Sequence, residues 1–163
     1  MLARLILLAA LSGQTHAPET VTSPDALAFG LEKLQWGMNA REAVQRYPAL
    51  EGTPPEQGEP WNSLSLANFP LAGCIFTARL NFERGALSEV ELDSVGTVRL
   101  ERCGVRIKSV LGRQYGGEPG GFSTGPSHGY SEYGAWRGPV TEVTYARLEG
   151  GFIAVHFSRT PKP

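Results

Sequence analysis

The clearest pattern in this chain is a pair of period-two blocks, each folded around glycine. In the first, Phe76, Ala78, Leu80 and Phe82 alternate with Thr77, Arg79, Asn81 and Glu83. Beyond Arg84-Gly85, Val90 and Leu92 alternate with Glu89, Glu91 and Asp93. Successive strand side chains point to opposite faces, so this block predicts a β-hairpin with one buried and one wet face. The second block, VTEVTYARL and FIAVHF around Glu149-Gly150-Gly151, sets Ile153, Val155 and Phe157 against Ala154, His156 and Ser158. Weaker strand signals lie in WNSLSLANF, where Leu64 and Leu66 alternate, and in GAWRG.

Two stretches keep helical spacing instead. In LQWGMNAREAVQRYP, Asn39 with Glu42 three residues later forms a capping box, Val44 and Tyr47 share a face, and Pro48 stops the helix. Over 97–115, Leu100, Cys103, Ile107, Val110 and Leu111 line one side, and Gly112 with Gly116-Gly117-Glu118-Pro119 marks the end. EGTPPEQGEP and GGFSTGPSHGYSEYG read as loops, the second long and polar. Superposing Gly85 on Gly150 brings Leu80 onto Tyr145, Val90 onto Val155 and Leu92 onto Phe157. The expected fold is α+β: one domain over 29–158, built of similar halves at 29–95 and 97–158. Each half is a helix plus an antiparallel hairpin, with the helices packed on one face of the sheet.

Composition adds a location. Of 163 residues 41% are hydrophobic, enough for a core. Residues 1–17 carry Arg4 ahead of an apolar run from Leu5 to Leu11, the layout of a secretory signal and too short to span a bilayer. Cleavage after Ala17 and after Ser12 both place small residues near the cut, and 18–28 form a polar, flexible lead-in. Gln14 stands where a lipoprotein would need its lipid-bearing cysteine, so no lipid anchor is expected. No later segment is apolar enough to cross a membrane, and the expected location is outside the cytoplasm, in the periplasm. Without the first 17 residues, 14 basic side chains (15 less Arg4) face 16 acidic ones, a balance unlike that of a nucleic-acid binder. Cys74 and Cys103 are the two cysteines, and in an oxidising compartment they read as one disulfide. A reactive or metal-binding pair would call for a CxxC spacing or a partnering histidine, and neither is present.

The run Gly37-Met38-Asn39-Ala40-Arg41-Glu42-Ala43 resembles the Gly-Met-Thr/Ser-x-x-Glu-Val helix opening of small bacterial envelope proteins, with Asn39 in place of the hydroxyl cap and Ala43 in place of valine. Tyr115-Gly116-Gly117-Glu118-Pro119 is similar to the closing signature of that design. Together they resemble the β-lactamase-inhibitor-protein-like fold and the outer-membrane-assembly lipoproteins of the SmpA/OmlA type, in a Trp-Gly-Met variant. The resemblance implies tandem helix-plus-sheet units and a protein-binding role, and it carries over no catalytic residue.

Candidate chemistry is sparse. His128 lies in the long loop beside Ser127, with Ser123 and Ser131 near, but no GxSxG elbow accompanies it and Glu132 is merely local. His156 alternates onto the polar face of its strand. Two scattered histidines do not suggest a metal site, and no cofactor is expected. Arg99, Arg102, Arg106 and Arg113 form a stripe beside the apolar face of the second helix. It reads as a solvated flank whose stems cover the core edge, or as a contact for an acidic envelope component. Phe122, Tyr130, Tyr133 and Trp136 are candidate interface anchors in the 117–136 loop, with His128 among the candidate contacts there and Trp136 alternatively a core residue opening a strand. The leading expectation is an exported, non-catalytic module that binds a protein or envelope component. A hydrolase-type enzyme using His128 as base and a small-solute binder are the alternatives. The cap assignment has a direct test: Asn39→Ala should lower stability by about 1 kcal/mol in denaturant unfolding, and no change would deny it.

Overall fold

A computed structural model of the chain describes residues 30–52, 61–96, 100–117, 120–123, 129–148 and 150–160; the expected leader (1–17) and lead-in (18–28) lie outside them. Helix α1 (Ala40–Arg46) precedes strands β1 (Trp61–Leu71), β2 (Cys74–Glu83) and β3 (Ala86–Ser94). Helix α2 (Leu100–Tyr115) then leads to β4 (Gly120–Ser123), β5 (Tyr130–Arg137), β6 (Thr141–Leu148) and β7 (Ile153–Arg159). The strands form one antiparallel sheet in the order β1-β2-β3-β7-β6-β5-β4.

The hairpins form where the alternation predicts them. Arg84 and Gly85 both take positive φ (52° and 76°), the two-residue turn whose twist suits paired strands. Ala72 and Gly73 repeat this turn between β1 and β2. A Cβ at Gly73 would lie 2.9 Å from the Arg106 guanidinium, so that turn also passes closely beneath α2. Leu80 pairs with Val90 in the first hairpin and Tyr145 with Val155 in the second, matching the superposition of Gly85 on Gly150. The central β3–β7 ladder obeys the same correspondence. Val90 pairs with Phe157 and Leu92 with Val155, so each pair is the image of the other, and Glu91 opposite His156 lies at the centre.

One face of the sheet is dry. Leu64, Phe76, Leu80, Phe82, Val90, Leu92, Val143, Tyr145, Val155 and Phe157 are all buried there, and the register places them in adjoining rows. Leu31, Leu34, Trp36, Met38, Ala40 and Ala43 join this core from the N-terminal segment. That segment is fastened by Gly37 N–H donating to the Leu87 carbonyl (3.0 Å) and Leu87 N–H to that of Met38 (2.8 Å). The Trp36 indole donates to Thr141 Oγ1 at 2.9 Å, satisfying two buried polar groups. The capping box of α1 is present in both directions, Asn39 Oδ1 accepting from Glu42 N–H at 2.9 Å and Glu42 Oε2 from Asn39 N–H at 3.0 Å. Cys103, Ile107 and Leu111 of α2 are buried, and the Cys74–Cys103 disulfide joins that helix to β2.

Two expectations are corrected. Tandem helix-plus-hairpin units with helices packed on the sheet do not describe this fold, in which a seven-stranded sheet dominates and only one of the two helices is long. The physical reason is the β3–β7 ladder, which merges the halves, together with β1, β4 and β5, which add strands beyond the two hairpins. The stretch read as a long loop also carries β4 and most of β5. Small and polar residues weaken its alternation, and a register shift between Tyr130 and Glu132 interrupts it.

The disulfide closes a loop across a sequence separation of 29. Replacing both cysteines by alanine should therefore lower stability by about 3–4 kcal/mol in denaturant unfolding, on the chain-entropy model. A loss below about 1 kcal/mol would mean that the core alone holds α2 in place.

Candidate functional site

The other face of the sheet is open. Described residues that the register places there, including Thr77, Arg79, Glu89, Glu91, Asp93, Thr144, Ala146, Ala154, His156 and Ser158, are half-buried or exposed. A single row crosses six strands as Ser65, Arg79, Glu91, His156, Thr144 and Ala135. Arg79 Nη1 bonds Glu91 Oε2 at 2.9 Å, and His156 Nε2 stands 3.6 Å from Glu89 Oε1. Toward β5, Arg137 pairs with Glu142 at 2.9 Å. The two arginine pairs contribute about 0–1 kcal/mol each, so stability does not explain why this face is charged.

One end of the face is apolar. Pro70 pairs with Ile75, the Val95 N–H donates to the Ile75 carbonyl, and the register beyond Asp93–Ala154 carries Val95 toward Phe152. Leu148 N–H donates to the Phe152 carbonyl, and Leu148 pairs with Tyr130. This row leaves Ile75 43%, Val95 53%, Phe152 44% and Tyr130 37% exposed, the large apolar side chains that the fold leaves wet along this edge. The Tyr133 ring lies 6.1 Å from that of Tyr130. Exposed aliphatic and aromatic side chains lined up on a flat surface have the composition of an interface centre.

On the dry face, a polar cluster fixes α2 over the sheet. Lys108 pairs with Glu132, whose other oxygen accepts the Tyr145 hydroxyl at 3.2 Å, and Arg147 reaches Glu101 at 3.5 Å. The helix approaches closely here because residue 104 is glycine: a Cβ would sit 2.6 Å from the Tyr145 hydroxyl oxygen. Burial first, then the Glu132 carboxylate, raises the Tyr145 phenol well above its ordinary value. Burial alone pushes Tyr115 up to about 12. This cluster is a structural lock in which a neutral phenol donates to an ion-paired carboxylate.

The candidates read from sequence separate accordingly. Tyr130 and Tyr133 lie together on the open face, whereas Trp136 is buried in the core with its indole donating to the Gly117 carbonyl at 3.2 Å. Phe122 falls in β4; His128 and Arg99 lie outside the described residues. Arg102 and Arg106 are exposed on α2, the Arg106 guanidinium lying near the Ala72-Gly73 turn, and Cys74 and Cys103 are bonded to each other. The sequence pattern alone does not single out Ile75, Val95 and Phe152. Their signal is legible in hindsight, since each puts an apolar residue on the wet parity of its strand, in line with Thr77, Asp93 and Ala154. No family model matches the chain, and no curated protein or solved structure does so either.

The raised phenols set an alkaline limit. A tyrosine whose value is higher folded than unfolded contributes stability below about pH 10, and that contribution falls away as the pH rises toward the folded value. Unfolding free energies measured from pH 8 to 11.5 should drop above about pH 10 by about 1.4 kcal/mol per pH unit for each protected phenol. Tyr145→Phe should flatten that slope; an unchanged slope would show that Tyr145 ionises freely in the fold.

Proposed function

We propose that this protein is an exported binding module, acting in the bacterial periplasm, that docks a protein partner on the open face of its sheet. The carrying observation is the row of Ile75, Val95, Phe152 and Tyr130, apolar and wet at one end of a face whose centre carries charged and small side chains. Placing such side chains in water gains nothing for folding, since Phe76, Leu80, Val155 and their neighbours supply a dry core on the opposite face. Burying them against a partner recovers their transfer free energy, and Tyr130 with Tyr133 adds rings that each carry a hydrogen-bonding hydroxyl.

Export is supported by the leader-like start of the sequence and by the disulfide, a bond that persists in oxidising compartments. Among the described residues, no helix is long and apolar enough to cross a membrane. The resemblance of residues 37–43 to small envelope proteins implies the same kind of role. The arginines of α2 are assigned no part in this contact, which is read from the apolar row alone.

The test is crosslinking and affinity capture from the native envelope, followed by titration of the captured protein. Ile75→Ser with Phe152→Ser, and separately Tyr130→Ala with Tyr133→Ala, should each weaken binding by about tenfold or more with the melting temperature retained. Arg102→Ala with Arg106→Ala should leave it unchanged. Binding that survives both face variants and fails in the arginine variant would move the contact to α2.

A further inference from the structure

At the centre of the open face, β3 and β7 bring together Glu89, Glu91 and His156, whose ligand atoms all lie within 4.8 Å of one another. Glu91 and His156 are direct cross-strand partners, and Glu89 is the next residue on the same face of β3. His156 Nε2 makes no hydrogen bond although the atom itself is fully screened from solvent, while its imidazole is otherwise partly open. A buried nitrogen left without a partner is costly, and at 3.6 Å Glu89 Oε1 is too distant to satisfy it. That spacing is close to the separation of about 3.3 Å between two donors on one tetrahedral zinc, given bonds of about 2.0–2.1 Å.

We propose that Glu89, Glu91 and His156 form a binding site for a divalent transition-metal cation of the zinc type. One imidazole nitrogen and two carboxylates are a borderline donor set, suited to zinc more than to calcium, which takes six to eight oxygens. The cation gives His156 Nε2 a bonding partner and balances the Glu89 carboxylate, Glu91 being already paired with Arg79, with water completing the shell. Arg79 engages one oxygen of Glu91 and leaves the other free, so it orients that carboxylate from outside the site. The ligands stand on the central ladder, where backbone bonding on both sides holds their spacing. The site is independent of the apolar row, which lies at one end of the same face.

Isothermal titration of the exported chain with zinc chloride tests this, with calcium and magnesium chloride as comparison ions. One equivalent of zinc should bind, and neither calcium nor magnesium should compete at tenfold excess. His156→Ala, and separately Glu89→Gln with Glu91→Gln, should weaken binding by more than about tenfold, while His128→Ala leaves it unchanged. Cobalt loaded into the site should give visible d–d absorption that His156→Ala removes. Melting of the metal-free variants should match that of the metal-free parent, which separates ligand loss from misfolding. The absence of stoichiometric zinc binding, or zinc and cobalt signals that persist in His156→Ala, would overturn the site.

Discussion

The rest of the molecule depends on the pairing of β3 with β7. Without that ladder, β1–β3 and β4–β7 would each end in an unpaired strand, with a row of open backbone groups and half of a hydrophobic face. Joined through Val90–Phe157 and Leu92–Val155, they share one core, and both central strands gain backbone partners on each side. The correspondence between the hairpins makes this pairing self-consistent, because the same apolar positions occupy both sides of the ladder. It also fixes what lies opposite the core: where Val90 and Leu92 point inward, Glu89 and Glu91 must point outward, and His156 joins them from β7.

The two faces of the sheet then have different work. The dry face is closed by an N-terminal segment with only a short helix and by α2, and each is held by a directional device as well as by burial. For the first these are the Trp36–Thr141 hydrogen bond and the exchange between Leu87 and residues 37–38. For the second they are the disulfide and the Lys108–Glu132–Tyr145 cluster. Covering elements that carry only a few apolar side chains gain little from area alone, so such fastenings decide where they sit. The wet face carries no comparable cover among the described residues, and Ile75, Val95, Phe152, Tyr130 and the unpartnered His156 nitrogen lie on it. Groups that folding leaves unsatisfied are the ones a ligand or partner can still reward.

Much of this was legible from residues alone. Strict alternation around Arg84-Gly85 and Gly150-Gly151 located both hairpins, and Asn39 with Glu42 located the start of α1. Cys103, Ile107 and Leu111 on the apolar side of α2, and the pairing of Cys74 with Cys103, also agree with the structure. These are local signals, in which one residue type has one geometric use. β5 was harder, because Tyr130, Glu132, Gly134 and Trp136 do not alternate by polarity, and its register shift breaks the period. Trp136 illustrates the ambiguity: by sequence it reads either as an anchor beside the tyrosines or as a core residue opening a strand, and it lies across from Val143 inside the core.

The sequence by itself determined the secondary structure of the strongly patterned segments, the disulfide and the division of each hairpin into a wet and a dry side. The tertiary structure alone decided that the halves merge into one sheet, that Ile75, Val95, Phe152 and Tyr130 fall along a common edge, and that His156 meets Glu89 and Glu91. The reason is range. Period and capping act over a few residues, whereas strand order brings together positions more than 60 apart in the chain, and only that pairing turns scattered side chains into a surface.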